Sequence, residues 1–393
     1  MRIRTTDDES RSLVDLRRAF HQMPELGFEE HLTSARVREE LVALGYQPKT
    51  WCETGLTAVL DSGIPGPTVM LRADMDGLPV QEENQHGYQS RHPGVMHACG
   101  HDAHTAILLG VARVFKMRVH LPKGRIVFLF QPAEEGRHGA EKMIESGVLE
   151  AFQPDICGGL HVWSETEAGT CHVCPGPFMA ATNRFIIRLQ GKGGHGALPH
   201  TARDPIVAGS ELVMALQTLV SREVSPMESA VVTIGQFHGG DSFNVIPDTV
   251  LLEGTLRAFQ KDVQTHLEQR VAEVSHAIAK SAGMEATVDM IRIALPTVNA
   301  EEPTLLMQSV VKDHPTAVLA PPGFQTMAGE DMSFFLDKVP GVFFFLGAGN
   351  EEVGACFPHH HPRFEIDESV LPLGVELLGE FALRALEKAP NSP

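Results

Sequence analysis

Four short apolar runs constrain this chain more than any other feature. They are Thr68–Ala73 (TVMLRA), Gly124–Phe130 (GRIVFLF), Asp155–Leu160 (DICGGL) and Val339–Leu346 (VPGVFFFL). Each has the length of a strand buried on both faces and is bounded by Gly, Pro or charge. Between the first two lies AHTAILLGVARVFK, in which Ile107, Leu108, Val111, Val114 and Phe115 recur at helical spacing. Upstream, residues 11–44 read as one or two helices broken near Pro24 and closed by Gly45. Strands alternating with helices predict an α/β fold. At 393 residues the chain exceeds one ordinary core of roughly 100–200 residues, which predicts two domains.

The middle of the chain has a different texture. NRFIIRLQGKGG, SAVVTIGQFHGG, DTVLLEGTLRAF and EATVDMIRIAL alternate apolar and polar residues, as half-buried strands do. Two amphipathic helical stretches, near Ile206–Val224 and Val263–Ala282, separate them. Strand–helix–strand–strand–helix–strand is the ferredoxin-like pattern. It is expected over residues 182–295, inserted into a larger α/β domain formed by 1–181 and 296–393, which resumes with PTLLMQSVVKDH.

Lys plus Arg total 32 against 50 for Asp plus Glu, a formal charge of −18. A phosphate-binding surface wants the opposite sign, so neither nucleic acid nor an anionic membrane is expected as a partner. The 6 cysteines are too few and too irregular for a disulfide scaffold. MRIRTTDDESRSLVDLRRAF lacks the apolar centre of a signal peptide, and no apolar run approaches the ~18–20 residues that cross a bilayer. A soluble, cytoplasmic protein is the expectation. No G-x-S-x-G elbow or phosphate loop occurs, and no dinucleotide-binding unit is expected. Cys171-x-x-Cys174 has redox spacing, but Pro175 follows and no helix opens there, so it reads as two strand cysteines.

The chemistry gathers at the strand ends, where open α/β sheets collect their ligands. TVMLRA leads into Asp74 and Asp76, GRIVFLF leads through Gln131-Pro132-Ala133 into Glu134 and Glu135, and DICGGL runs into His161. GVMHACGHDAH puts Cys99 and His101 at the start of the AILLGVARVF helix. Of 20 His, His86, His92, His97, His101 and His104 fall in one short stretch. A thiolate, imidazoles and carboxylates together suit Zn²⁺, Ni²⁺, Co²⁺ or Mn²⁺ better than Mg²⁺ or Ca²⁺. Of two adjacent glutamates, one can bind metal while the other acts as a base on water. On spacing alone, a solvated helix start explains that pair equally well.

MHACGHDAHTAILLG, QPAEEG, GLHV, GKGGHGALPH, NVIPDTVLLEGTLRAF, AGEDMSFF and HHPRFEIDESVLPLG resemble the metal-dependent amidohydrolases. This group includes hippurate hydrolase, the indoleacetyl-amino-acid hydrolases and bacterial N-acyl-amino-acid hydrolases, within the aminoacylase and carboxypeptidase metallopeptidase family. The likeness runs from RRAFHQMPELGFEE to the final helix. It implies a large α/β/α catalytic domain with an inserted ferredoxin-like lid or dimerisation domain. It also implies two divalent transition-metal ions per subunit, held by Cys99, His101, Glu135, His161 and His360, with Cys99 bridging. Glu134 would be the general base, and Asp76 would orient a liganding imidazole. In FPHHHPRF the family's single His, two places before the Pro, falls on His360. His21, in FHQMPE, fits the family pattern and is expected to pack its helix.

For the substrate, the resemblance implies a carboxylate clamp of Asn244 and Arg257, thirteen residues apart. A planar guanidinium donates two parallel hydrogen bonds to a carboxylate. His195, in GGHGALPH, looks like the histidine that relatives send into a neighbouring subunit's site to polarise the scissile carbonyl. The implied activity is hydrolysis of an N-acyl amino acid to a carboxylic acid and a free amino acid, by a homodimer or homotetramer. A dipeptidase or carboxypeptidase on the same scaffold is the alternative.

Overall fold

The computed structural model describes residues 3–388. The chain divides into two compact units. The first comprises the residues up to Gly176, Val298–Phe324 and the residues from Asp331 onward; the second comprises Pro177–Thr297 with Gln325–Glu330.

The first unit is built on an 8-stranded sheet whose centre is parallel. Arg125–Gln131, Thr68–Asp74, Ile156–Glu167 and Gly341–Gly349 lie side by side there, and they are the four apolar runs. Lys49–Trp51 and Gly55–Asp61 extend one edge antiparallel, while Thr170–His172 and Val318–Leu319 extend the other. All seven residues of Thr68–Asp74 are buried, as expected of a strand covered on both faces. The helices Asp7–His21, His101–Arg118 and Val370–Lys388 contribute Leu13, Phe20, Ile107, Val111, Leu371 and Leu378 to the core under the sheet. Phe343, Phe344 and Phe345 are fully buried. An α/β architecture therefore follows from the sequence alternation.

The second unit holds the strands Ala230–His238, Thr249–Ala258, Ala181–Gln190 and Glu285–Ala294 in that spatial order, every pair antiparallel. The helices Pro205–Thr218 and Lys261–Ser281 complete a β-α-β-β-α-β arrangement of ferredoxin-like topology. Burial alternates strictly along Thr249–Ala258, so one face packs on Leu212, Leu216, Leu267 and Val271. Gln325–Glu330 joins this unit through the backbone, with Ala180 N donating to the carbonyls of Thr326 and Ala328, both at 3.1 Å. No side-chain periodicity marks such a contact, so only the fold reveals it. No helix of the described residues is long and apolar enough to cross a membrane.

Candidate metal centre

Sheet register sets the first level of the site. Asp74 lies opposite Gln131 on the neighbouring strand, and His161 lies opposite Phe345. Just beyond the Thr68–Asp74 strand, Asp76 accepts the backbone N–H of Glu134 on Oδ1 and that of Glu135 on Oδ2, both at 3.0 Å. The same Oδ1 stands 3.2 Å from His101 Nδ1. One carboxylate thus joins the end of a strand, the start of a helix and the two-glutamate turn.

Gly100 sits between Cys99 and His101 as the N-cap of the His101–Arg118 helix, with φ at +90°. A Cβ there would meet Val162 Cγ2 at 2.4 Å, so both the conformation and the space require glycine. The turn aims Cys99 and His101 toward the same region as His161 and Glu135. Ligand atoms of Cys99, His101 and His161 lie within 4.8 Å of one another, and so do those of Cys99, Glu135 and His360. His101, Glu134 and Glu135 form a third such group.

The tautomers favour cation binding. His161 Nδ1 lies 2.6 Å from the Val162 carbonyl, which leaves Nε2 as the lone-pair nitrogen, 3.4 Å from Cys99 Sγ. With His101 Nδ1 donating to Asp76, its Nε2 is buried and has no hydrogen-bond partner, and Glu135 Oε1 is in the same condition. Buried polar atoms without partners are rare, and liganding histidines characteristically donate their other N–H in this way. Burial, with His104 and His359 nearby, holds the His161 imidazole well below its usual range, in the neutral form that ligates. Burial and the adjacent Glu135 push the Cys99 thiol up, so its thiolate calls for added positive charge. The donor set fits a divalent transition metal.

The three adjacent histidines have different surroundings. His360, whose N–H bonds the Ala98 carbonyl at 2.8 Å, places Nε2 3.3 Å from Glu135 Oε1. His359 turns inward, its ring 4.6 Å from Trp163 and 5.1 Å from His161, with Nδ1 3.8 Å from Cys99 Sγ. His361 stacks on Phe357. Glu134 differs from Glu135 in partner: its Oε1 accepts from the Asp331 N–H at 3.2 Å.

Several contributors escaped sequence reasoning. Arg72, fully buried inside an apolar strand, donates to Asp74 Oδ2 at 2.7 Å, Asp331 Oδ1 at 2.9 Å and Gln131 Oε1 at 2.8 Å. His104 Nδ1 lies 2.6 Å from Asp74 Oδ1, and its Nε2 accepts the Val162 N–H at 2.9 Å. The signal was an arginine in TVMLRA, since a charge in a doubly buried strand must have a partner. Arg72→Met removes a cation from between two buried carboxylates. It is expected to destabilise the protein by about 3–5 kcal/mol, read as a lowered midpoint in urea.

His195, Asn244 and Arg257 belong to the second unit. Val245 pairs with His195 in a two-stranded ribbon, which makes Asn244 and His195 neighbours. Both are exposed. Ala197 N–H donates to His195 Nδ1 at 3.0 Å, so the neutral ring carries its proton on Nε2. Asn244 Oδ1 accepts from Ser242 Oγ at 2.9 Å. Half-buried Arg257 bonds Thr182 Oγ1 and the Met327 carbonyl, and no described carboxylate pairs with it. No described hydrogen bond links Arg257 to Asn244. Cys171 and Cys174 are buried free thiols, Cys171 within the Thr170–His172 strand and Cys174 just past it.

Residues 70–384 match the model of peptidase family M20/M25/M40. Among curated relatives, N-acetyl-L-cysteine deacetylase of Bacillus subtilis (strain 168) is 40% identical over 383 residues, covering 97% of this chain and 90% of the relative. IAA-amino acid hydrolase ILR1-like 5 of Arabidopsis thaliana is 40% identical over 386 residues, covering 97% of this chain and 88% of the relative. Among solved structures, the Bacillus subtilis YXEP protein, described as a dinuclear metal binding peptidase, superposes with a TM-score of 0.85 at 31% identity, covering 98% of this chain and 100% of that one.

Proposed function

Because this chain belongs to peptidase family M20/M25/M40, we propose that it hydrolyses the amide bond of N-acyl amino acids, releasing a carboxylic acid and a free amino acid. The observation that carries this reading is a clustered thiol, imidazole and carboxylate donor set with a second carboxylate, Glu134, beside it. Relatives aligned over most of their length, at about 40% identity, are named as a deacetylase of N-acetyl-L-cysteine, a hydrolase of IAA-amino acids and a deacetylase of N-acetyldiaminopimelate.

Cys99, His101, Glu135, His161 and His360 would hold two divalent transition-metal ions per subunit, from zinc, manganese, nickel and cobalt. When bound, such ions polarise an amide carbonyl and acidify water toward neutral pH. Glu134 takes a proton from the attacking water and passes it to the leaving amine nitrogen. Asp76 holds the His101 tautomer and, through two backbone N–H groups, the Glu134–Glu135 turn. Arg257, with Asn244, binds the free carboxylate of the amino-acid half. His195 donates from Nε2 to the carbonyl oxygen in a neighbouring subunit of a cytoplasmic homodimer or homotetramer.

The test is a panel of benzoyl-, acetyl- and indoleacetyl-amino acids beside dipeptides, assayed with metal-loaded protein. Acylated amino acids are expected to turn over faster than dipeptides; cleavage confined to dipeptides would overturn the reading. Arg257→Ala is expected to lose more activity on free-carboxylate substrates than on the same substrates amidated there. An equal loss on both would make Arg257 a structural residue.

A further inference from the structure

A second histidine–carboxylate cluster in the first unit uses none of the donors above. His21 closes the Asp7–His21 helix, while Glu82 and His86 lie between the Thr68–Asp74 strand and the His101–Arg118 helix. Glu365 follows the three-histidine segment. We propose that His21, Glu82 and His86, with Glu365 as fourth donor, form a further divalent transition-metal site of the structural kind.

Distances point there first. His21 Nε2 lies 3.3 Å from Glu82 Oε1, and His86 Nε2 lies 3.2 Å from that same oxygen and 3.1 Å from Glu365 Oε2. Ligands at ~2.0–2.1 Å from tetrahedral zinc stand ~3.3 Å from each other, so these separations have the lengths of tetrahedron edges. The ligand atoms of His21, Glu82 and His86 all fall within 4.8 Å of one another.

Ring orientation is an independent observation. His21 is fully buried, and its Nδ1 is held by Asp102 Oδ2 at 2.7 Å, which turns Nε2 toward Glu82 in the carboxylate–histidine–metal manner. Both ring nitrogens of His86 are shielded from solvent, yet neither makes a well-directed hydrogen bond, despite the two oxygens close to Nε2. A nitrogen that is close to two carboxylate oxygens and aimed at neither suits a cation shared among them. Tyr88 stacks on the His86 ring at 3.7 Å and donates its hydroxyl to Glu365 Oε2 at 2.9 Å, fixing both donors.

Charge balance allows the exchange. Asp102, Glu82, Glu365 and Glu368 are the anions of this network, and Arg17 and Arg18 are its permanent cations. Two protonated imidazoles balance the remaining charge. A divalent ion bound to neutral His21 and His86 balances it equally and releases those protons.

The experiment compares the intact protein with His86→Gln, chosen because His86 is partly exposed and outside any helix or strand. Each is equilibrated with excess Zn²⁺, freed of unbound ion by gel filtration and analysed for zinc, with thermal unfolding recorded to verify folding. The intact protein should carry one zinc per chain more than His86→Gln. Equal zinc content in two folded proteins overturns the site and leaves the cluster as a protonated ion-pair network. Glu135→Gln separates this outcome from the catalytic reading: it should keep the zinc that His86→Gln loses. If it does not, the additional ion is not independent of the first centre and the proposal fails.

Discussion

Glu134→Gln is expected to fold, to keep its metal and to lose turnover by ~10²–10⁴-fold, the usual contribution of a general acid–base group. The amide is isosteric and still accepts the Asp331 N–H, so the turn held by Asp76 should persist. What the amide lacks is the capacity to take a proton from water. Glu135→Gln should instead lose metal, because Glu135 Oε1 is a buried oxygen without a hydrogen-bond partner beside His360. Steady-state kinetics and metal analysis on the two variants decide the assignment. Reversed phenotypes would mean that base and ligand have been exchanged.

His195→Ala is expected to reduce turnover by ~10²–10³-fold, the loss typical when a donor to a developing oxyanion is removed. The hydrogen bond from Ala197 N–H to Nδ1 leaves Nε2–H exposed and ready to donate. If that donation crosses between subunits, two inactive proteins should complement each other. Co-refolding equal amounts of His195→Ala and Glu134→Ala makes about half of random dimers mixed, each with one complete site, so about a quarter of full activity should return. No recovery, with subunit exchange verified separately, would place His195 within its own chain's chemistry or outside the reaction.

The parallel centre of the sheet was legible because strands buried on both faces appear as unbroken apolar runs. Burial on one face made the second unit's strands legible in turn, as in the strict alternation of Thr249–Ala258. Cys99 and His101 were visible as candidates because a helix pattern opens right after them. Arg72 with Asp331 was not visible, since their pairing depends on long-range packing that no local pattern encodes. The same limit applies to the His359–His361 triplet. Periodicity cannot say which of three adjacent rings turns toward Glu135; the backbone, with His360 at φ +67°, makes that choice. The family resemblance implied a clamp of Asn244 and Arg257, thirteen positions apart, and in the fold each residue has different local partners.

Chain order also has a consequence for the timing of synthesis. Gly341–Gly349 lies between Ile156–Glu167 and Thr170–His172 in the sheet, yet the whole second unit is made before it. At ~5–20 residues per second, the nascent chain holds the apolar edge of Ile156–Glu167 open for roughly 10–40 s. An uncovered edge of that kind is a template for pairing with another chain. Crowded polysomes should therefore be the point of greatest aggregation risk, and slower initiation should raise the soluble yield more than lowering the growth temperature after synthesis is complete. On the proposed ligand set, His360 emerges later still, so an ion taken up early would meet an incomplete set of donors.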